Sequence, residues 1–68
     1  MKIAKIFTPN GINKLSKEVE KEYRKGTPMK EIKLELDFFA PVFLVNALQK
    51  EFQVIKNKIA FKVKNERI

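Results

Sequence analysis

The chain has 68 residues, one domain at most, and a domain of this size buries only about 60% of the surface that its unfolded form exposes. It has no Cys and no His, which excludes a disulfide framework, a Cys/His zinc site and an imidazole general base. Fifteen Lys and Arg residues against eight Asp and Glu give a formal charge of +7, which favours nucleic acid, an acidic protein or an anionic surface as partner, or serves solubility alone.

The apolar content argues for a folded domain outside the membrane. Hydrophobic residues make up 44% of the chain, too many for a disordered protein. The longest apolar run, residues 38–45, is much shorter than the ~18 residues that would cross a bilayer. The first residues lack the apolar segment of a signal peptide. We therefore expect a single cytoplasmic domain over residues 1–68 that has no membrane partner.

The first two predicted elements are a strand and a charged helix. Residues 2–8 are short and rich in Ile and Phe, and they end at the turn signal of residues 9–11, which predicts a strand. From about residue 13 to residue 25 the apolar positions follow helical spacing, and most residues between them are charged. This pattern predicts a surface helix that docks by one narrow stripe, formed by Ile12, Leu15, Val19 and Tyr23.

Residues 26–36 carry two signals that disagree. Gly26 is typical of a position just past a helix, Thr27 of a helix N-cap and Pro28 of a first helical residue, so these three predict a second helix over 28–36. From Ile32 to Phe38, however, apolar and charged residues alternate, which is typical of a strand. We favour the helix, because a strand leaves the capping signal unexplained.

A third helix is predicted from Pro41 to about Phe52, followed by basic strands. Leu44, Ala47 and Leu48 lie on one helical stripe with Phe52, while the first turn and a half of this helix is apolar nearly all round. Residues 54–64 then alternate between apolar residues and lysines. They predict either a hairpin with a polar tip or one strand that pairs with residues 2–7.

The central stretch resembles the helix-turn-helix superfamily of DNA-binding domains over residues 26–49. Its matching residues are Gly26, Glu31, Ile32, Leu36, Ala40, Pro41, Leu44, Ala47 and Leu48. The resemblance implies an α+β fold with a small three-helix, helix-turn-helix-like core and a short two- or three-stranded basic sheet that looks like a wing. If residues 31–38 form a strand, a β-α-β-α-β arrangement is the alternative.

The first functional hypothesis is a small sequence-specific or architectural DNA-binding protein, a transcriptional regulator that binds double-stranded DNA. The helix over 41–52 would enter the major groove, since amide side chains suit adenine edges and Lys suits guanine or phosphate. Lysines of the following strands would hold the DNA backbone, and the helix start at residue 27 would contact a phosphate. The candidate DNA-binding residues are Thr27, Asn46, Gln49, Lys50, Lys56, Lys58, Lys62 and Lys64.

The second hypothesis is a protein-interaction module or a small homodimeric adaptor. Several large apolar side chains occupy positions where a recognition helix would carry polar groups, and an apolar patch of that size on a small domain tends to be covered. An ordinary core would explain the same residues. The candidate interaction face is Phe38, Phe39, Val42, Phe43 and Val45. A homodimer is compatible with DNA binding, because dimers commonly read paired half-sites.

We do not expect an enzyme. Ser16 is the only Ser, the chain lacks His and Cys, and its acidic residues lie mainly among basic neighbours. Two Gly residues, at positions 11 and 26, cannot form a Gly-rich phosphate loop. The sequence therefore predicts no catalytic residue, no cofactor, no metal site and no small-molecule substrate.

Overall fold

Strands and helices alternate along the computed structural model, which describes residues 2–66. Strand β1 spans Lys2–Ile6, helix α1 Leu15–Arg24, strand β2 Ile32–Leu36 and helix α2 Val42–Glu66. Short 3-10 helices, Pro9–Lys14 and Met29–Glu31, precede α1 and β2. The described residues thus form a small α+β fold in the order β-α-β-α, which confirms the α+β class.

The two strands pair in parallel, with α1 as the connection between them. Ala4 lies opposite Leu34 and Ile6 opposite Leu36. Parallel strands need a crossover of a dozen or more residues, and the segment from residue 7 to residue 31 provides it. One face of the sheet packs on the core, where Ala4, Ile6 and Ile32 are buried. The opposite face of the sheet exposes the charged residues Lys5, Lys33 and Glu35.

Helix α1 confirms the predicted narrow stripe. Leu15 and Val19 are buried, Tyr23 packs against the core at its edge, and Ile12 reaches the same core from the preceding 3-10 helix. The rest of α1 is mostly exposed and charged. Burial of this narrow apolar stripe is the main hydrophobic contact that docks the helix.

Gly26 ends α1 as the sequence predicts. Its φ of +106° is the only positive φ in the described part of the chain. Its N–H donates to the carbonyl of Tyr23 at 3.1 Å, and the N–H of Thr27 donates to the carbonyl of Glu22 at 3.2 Å. These two bonds make a Schellman motif, in which carbonyls of the last helical turn find donors. A residue with a Cβ would be strained at this φ.

The predicted helix over residues 28–36 is wrong. Pro28 has φ −61° and ψ 141°, an extended conformation, and only the single 3-10 turn of residues 29–31 follows it. Thr27 therefore caps no α-helix. Residues 32–36 form β2 instead, because their alternation buries Ile32 and leaves Lys33 and Glu35 in solvent, and because β1 supplies the backbone hydrogen bonds. The helix pair of a helix-turn-helix is thus not formed by residues 26–49.

The predicted strands over residues 54–64 are also wrong, because α2 continues through them to Glu66. Ile55, Ile59 and Val63 are four residues apart, so they fit a helix as well as an alternating strand, and they extend the inward line of Leu48 and Phe52. Residues 42–66 contain no Gly or Pro to end the helix. Propagating an existing helix costs less than starting a new element. The terminal strand of the β-α-β-α-β alternative is therefore not found in the described residues.

The length of α2 sets the shape of the molecule. Twenty-five residues make a helix of about 37 Å, and the longest dimension of the protein is 42 Å against 18 Å for the other two. Sheet and α1 cover one side of this helix, where they bury Leu48, Phe52, Ile59 and Val63. The opposite side lies in solvent along its length.

An ion-pair network joins α1 to the C-terminal part of α2. Glu20 accepts hydrogen bonds from Arg24 Nε at 3.0 Å and from Lys62 Nζ at 3.2 Å, and Arg24 also donates to Glu66 at 2.6 Å. The bonds from Arg24 and Lys62 lower the pKa of Glu20, and those to Glu66 and Glu20 raise the pKa of Arg24. Networks of this kind orient surface helices, although each exposed pair adds little stability.

Candidate interaction surface

Three large apolar side chains lie in one line on the solvent side of α2. Phe43 is 76% exposed, Phe61 67% and Val54 44%. A helix turns about 100° per residue, so Phe61, 18 residues after Phe43, points in the same direction, and Val54 lies within about 20° of both. Phe52, nine residues from both Phe43 and Phe61, points to the opposite side of the helix and is buried. We call this line of Phe43, Val54 and Phe61 the outer ridge of α2.

Polar and small side chains complete the outer ridge between its apolar members. Ala47, Lys50 and Asn57 lie within about 40° of the line by the same helical geometry, and all three are exposed. Asn57 accepts a hydrogen bond from Gln53 Nε2 at 3.0 Å, one turn earlier in the helix. The surface is therefore apolar at both ends and mixed in the middle, unlike the continuous apolar stripe on the buried side.

The predicted interaction face around the start of α2 divides into two groups. Phe39 is 97% exposed and Val42 is 76% exposed, and with Phe43 they form an apolar patch at the beginning of the helix. Phe38 and Val45 are half-buried, and Phe38 packs against the core. The apolar surface at this end of the molecule is thus made by three of the five predicted residues.

The predicted DNA-binding residues do not form one surface. Asn46, Gln49, Lys50, Lys58 and Lys64 are exposed on α2. Lys62 is engaged in the ion pair with Glu20, so its ammonium group holds α1 and α2 together. Thr27 is half-buried in the connection after α1 and begins no α-helix.

Lys56 points inward, unlike the other lysines of α2. Its Nζ lies 3.4 Å from the carbonyl oxygen of Ile32 and 3.5 Å from that of Met29, and 5.1 Å from the ring centre of Phe52. Burial lowers the pKa of its ammonium group, and the charge of Lys33 lowers it further. The side chain therefore contacts the start of β2 and is not placed to hold a phosphate.

Val54 and Phe61 are the surface residues that the sequence analysis missed. Both were assigned to predicted strands, in which they do not share a helix face with Phe43. Spacings of 11 and 18 residues from Phe43 are three and five helical turns, so a single helix through residues 42–66 would have predicted the outer ridge.

A shallow groove of about 360 Å³ lies beside Phe61, lined also by Tyr23, Ala60, Val63 and Lys64. It runs between the last turn of α1 and the C-terminal part of α2. Tyr23 and Lys64 give the groove a hydroxyl and an ammonium group on an otherwise apolar wall. One end of the outer ridge is thus concave, whereas the end at Phe39 and Phe43 protrudes.

The part of the chain that the structure describes contains neither a metal-binding cluster nor a membrane-spanning helix. Between residues 2 and 66, no cluster of three or more acidic side chains is arranged to hold a metal ion. No helix in that range is both long enough and apolar enough to cross a membrane. The sequence matches no protein-family model and no curated protein, and no solved structure matches the chain.

Proposed function

We propose that the protein is a small protein-interaction module that binds its partner through the outer ridge of α2. The observation that carries this proposal is the exposure of Phe43, Val54 and Phe61 in one line, directly opposite the buried side of the same helix. At the start of the helix Phe43 lies next to the exposed Phe39 and Val42, and an exposed apolar patch of this kind generally marks a binding surface. Aromatic side chains are also enriched at the centres of protein interfaces.

A photocrosslinking experiment tests the proposal. A benzophenone amino acid replaces Phe43 or Phe61 in two variants, and Lys30, which is exposed in the 3-10 turn before β2 and is no part of the outer ridge, in a third. We expect covalent protein adducts from positions 43 and 61 in cells, and none from position 30. Lack of any protein adduct at both ridge positions would contradict the proposal.

The matched stability control asks whether the ridge belongs to the core. Phe43→Ser and Phe61→Ser should change the free energy of unfolding by no more than about 0.5 kcal/mol, as is usual for surface positions. Phe52→Leu in the buried line should cost about 1 kcal/mol or more, because it leaves unfilled space. Urea unfolding measures all three, at protein concentrations too low for self-association to add to the stability of the wild type. A loss at Phe43 as large as that at Phe52 would assign the ridge to the fold and remove it as a binding surface.

Nucleic-acid binding is the second candidate function. It is supported by the formal charge of +7 and by the exposure of Lys50, Lys58 and Lys64 along α2. Helix α2 would lie along the phosphates as a basic rod, with Asn46 and Gln49 on its surface. The helix-turn-helix resemblance gives this candidate no structural support, since β2 forms where the first helix of that motif was predicted.

Titration of duplex DNA at increasing salt tests this second candidate. Affinity should fall steeply with salt, and Lys58→Gln with Lys64→Gln should reduce both the affinity and its salt dependence. Lys62 is unsuitable for this test, because its loss would also break the bridge to Glu20. No duplex binding at low salt would end the nucleic-acid candidate.

A further inference from the structure

We propose that the partner of the outer ridge is a second copy of this chain, which packs its own α2 antiparallel against the first. This inference rests on the proposed function and adds the identity and orientation of the partner. It is carried by three features of the ridge: its heptad spacing, its symmetry along the helix and the area that it exposes.

The ridge has the spacing of a helix-helix seam. Its residues are 43, 47, 50, 54, 57 and 61, with separations that alternate between four and three. Alternation of this kind is the a/d pattern with which two helices pack side chains into each other's gaps. The same helix carries a second, buried seam that packs on the sheet and α1. Helix α2 therefore has two opposite packing faces, and the rest of the same chain covers only one of them.

The ridge is symmetric about the level of Phe52 along the helix. Phe43 and Phe61 are each nine residues from Phe52, Ala47 and Asn57 five, and Lys50 and Val54 two. A two-fold axis at this level, perpendicular to α2, sets Phe43 of one copy beside Phe61 of the other. A two-fold interface is self-complementary by construction, and this one places aromatic rings against aromatic rings at both ends.

The charges on the ridge favour the antiparallel orientation over the parallel one. In a parallel pair Lys50 would face Lys50, and Asn57 would face Asn57. In the antiparallel pair Lys50 faces Val54, so its methylene groups can pack on the valine while its ammonium group reaches solvent. Ala47 faces Asn57, which leaves room for the amide. The two copies of Lys50 are thus offset by four residues, about 6 Å along the helix, instead of facing each other directly.

The ridge phenylalanines supply about half of the area that the smallest specific dimers bury. An aromatic side chain buries about 150–250 Å², so the four ridge phenylalanines of two copies, exposed by 76% and 67%, would bury on the order of 600 Å². Specific interfaces begin near about 1,200 Å² in total. Val54 and the stems of the neighbouring polar residues must supply the remainder. We therefore expect reversible association with a micromolar dissociation constant.

The groove beside Phe61 fits this arrangement. Phe43 of the second copy reaches the level of Phe61, next to the wall formed by Tyr23, Ala60 and Lys64. Val42 precedes it and lies on the side of α2 that faces the same wall. The protruding end of each ridge thus meets the concave end of the other, twice in the dimer.

Disulfide trapping tests both the partner and its orientation, since the chain has no native Cys. Ala47→Cys and Asn57→Cys are made as separate proteins, so that every dimer keeps Phe43 and Phe61 of both copies. In a mixture, mild oxidation should give chiefly the mixed disulfide, because residues 47 and 57 face each other across the axis within disulfide range. Intact mass distinguishes the mixed dimer from the two symmetric ones. Thermal unfolding monitored by circular dichroism verifies that each variant is folded.

Each outcome decides the proposal. Chiefly mixed disulfide that Phe43→Ser abolishes supports it. Symmetric disulfides formed by each variant alone would indicate a parallel pair and overturn it. A folded wild-type chain that sediments as a monomer at several hundred micromolar, roughly a hundred times the expected dissociation constant, would also overturn it. In that last case, photocrosslinks from position 43 to a different protein would preserve the interaction function, so the two failures can be told apart.

Discussion

Phe43 and Phe52 are the same side chain in the same helix, and their environments are opposite. Phe52 is 2% exposed, and its ring packs in the core and lies 5.1 Å from the ammonium group of Lys56. Phe43 points to the opposite side of the helix, which neither the sheet nor α1 covers. Burial is worth about 1.5–3 kcal/mol for a side chain of this size, so an exposed phenylalanine forgoes a large gain unless a partner covers it. Position around the helix axis, more than residue type, decides which of the two phenylalanines is buried.

Glu20 is the residue whose titration should affect stability in acid. Hydrogen bonds from Arg24 and Lys62 lower its pKa below the ordinary value of 4.5. The folded state therefore binds a proton less readily than the unfolded state, so the contribution of Glu20 is present above pH 4.5 and is lost as the pH falls through the lowered pKa. Glu20→Gln should flatten the acid decline of the unfolding free energy, measured by urea unfolding at several pH values.

The control for this prediction is Glu18→Gln, an exposed carboxylate two residues earlier in α1. It should keep the acid decline of the wild type. If Glu20→Gln showed the same pH dependence as Glu18→Gln, the network with Arg24 and Lys62 would contribute nothing measurable to the free energy of unfolding, which is common for exposed pairs.

At the scale of elements, the continuity of α2 through residue 57 decides the architecture. The sequence reads residues 56–58 equally well as the polar tip of a hairpin, and a hairpin would replace half of the helix with strands. In the structure Asn57 lies in the helix interior and bonds to Gln53 one turn away. The outer ridge exists only if this helix is unbroken, because Phe43 and Phe61 lie in its two halves.

Asn57→Pro tests this continuity. Proline in a helix interior costs about 3 kcal/mol or more, which is comparable with the whole stability of a domain this small, so the variant should unfold. A hairpin tip would tolerate the same change. Asn57→Ala is the control, and it should leave stability within about 0.5 kcal/mol, since better helix propensity offsets the lost bond to Gln53. Circular dichroism during thermal unfolding measures both. A folded Asn57→Pro protein would contradict a continuous helix.

At the scale of the whole molecule, net charge gives the two candidate functions opposite responses to salt. Two copies that each carry +7 repel one another, and salt screens that repulsion. Between about 0.1 M and about 1 M salt the Debye length falls from ~10 Å to ~3 Å. We expect self-association to strengthen over this range, whereas binding to nucleic acid weakens because counterions are no longer released with the same gain.

Sedimentation velocity over a series of protein concentrations measures the salt effect on self-association. Lys50→Gln removes one charge near the two-fold axis and should reduce the salt dependence. Lys5→Gln, on the exposed face of the sheet, should leave the association nearly unchanged and serves as the control. Association that weakens with salt would show that opposite charges, and not the apolar ridge, hold the copies together.

Local patterns predicted the elements that local chemistry is sufficient to specify. The sequence predicted strand β1, the single buried stripe of α1 and the glycine at the end of α1. Each of these depends on the spacing of neighbouring residues or on one backbone angle. The start of α2 after Pro41 was also predicted to within a residue. Of the outer ridge, the sequence predicted only Phe43 as an interaction residue, because Val54 and Phe61 fell in segments predicted as strands.

The sequence by itself determined the α+β class, the charge and the presence of surplus aromatic residues. Tertiary structure decided the two segments in which helical and strand spacings coincide. Ile32–Leu36 became a strand because β1 lies alongside to pair with it, and residues 54–64 became helix because Ile59 and Val63 continue a line that the sheet and α1 already bury. Spacing cannot distinguish these outcomes, since hydrogen-bond partners and buried area come from residues distant in the chain.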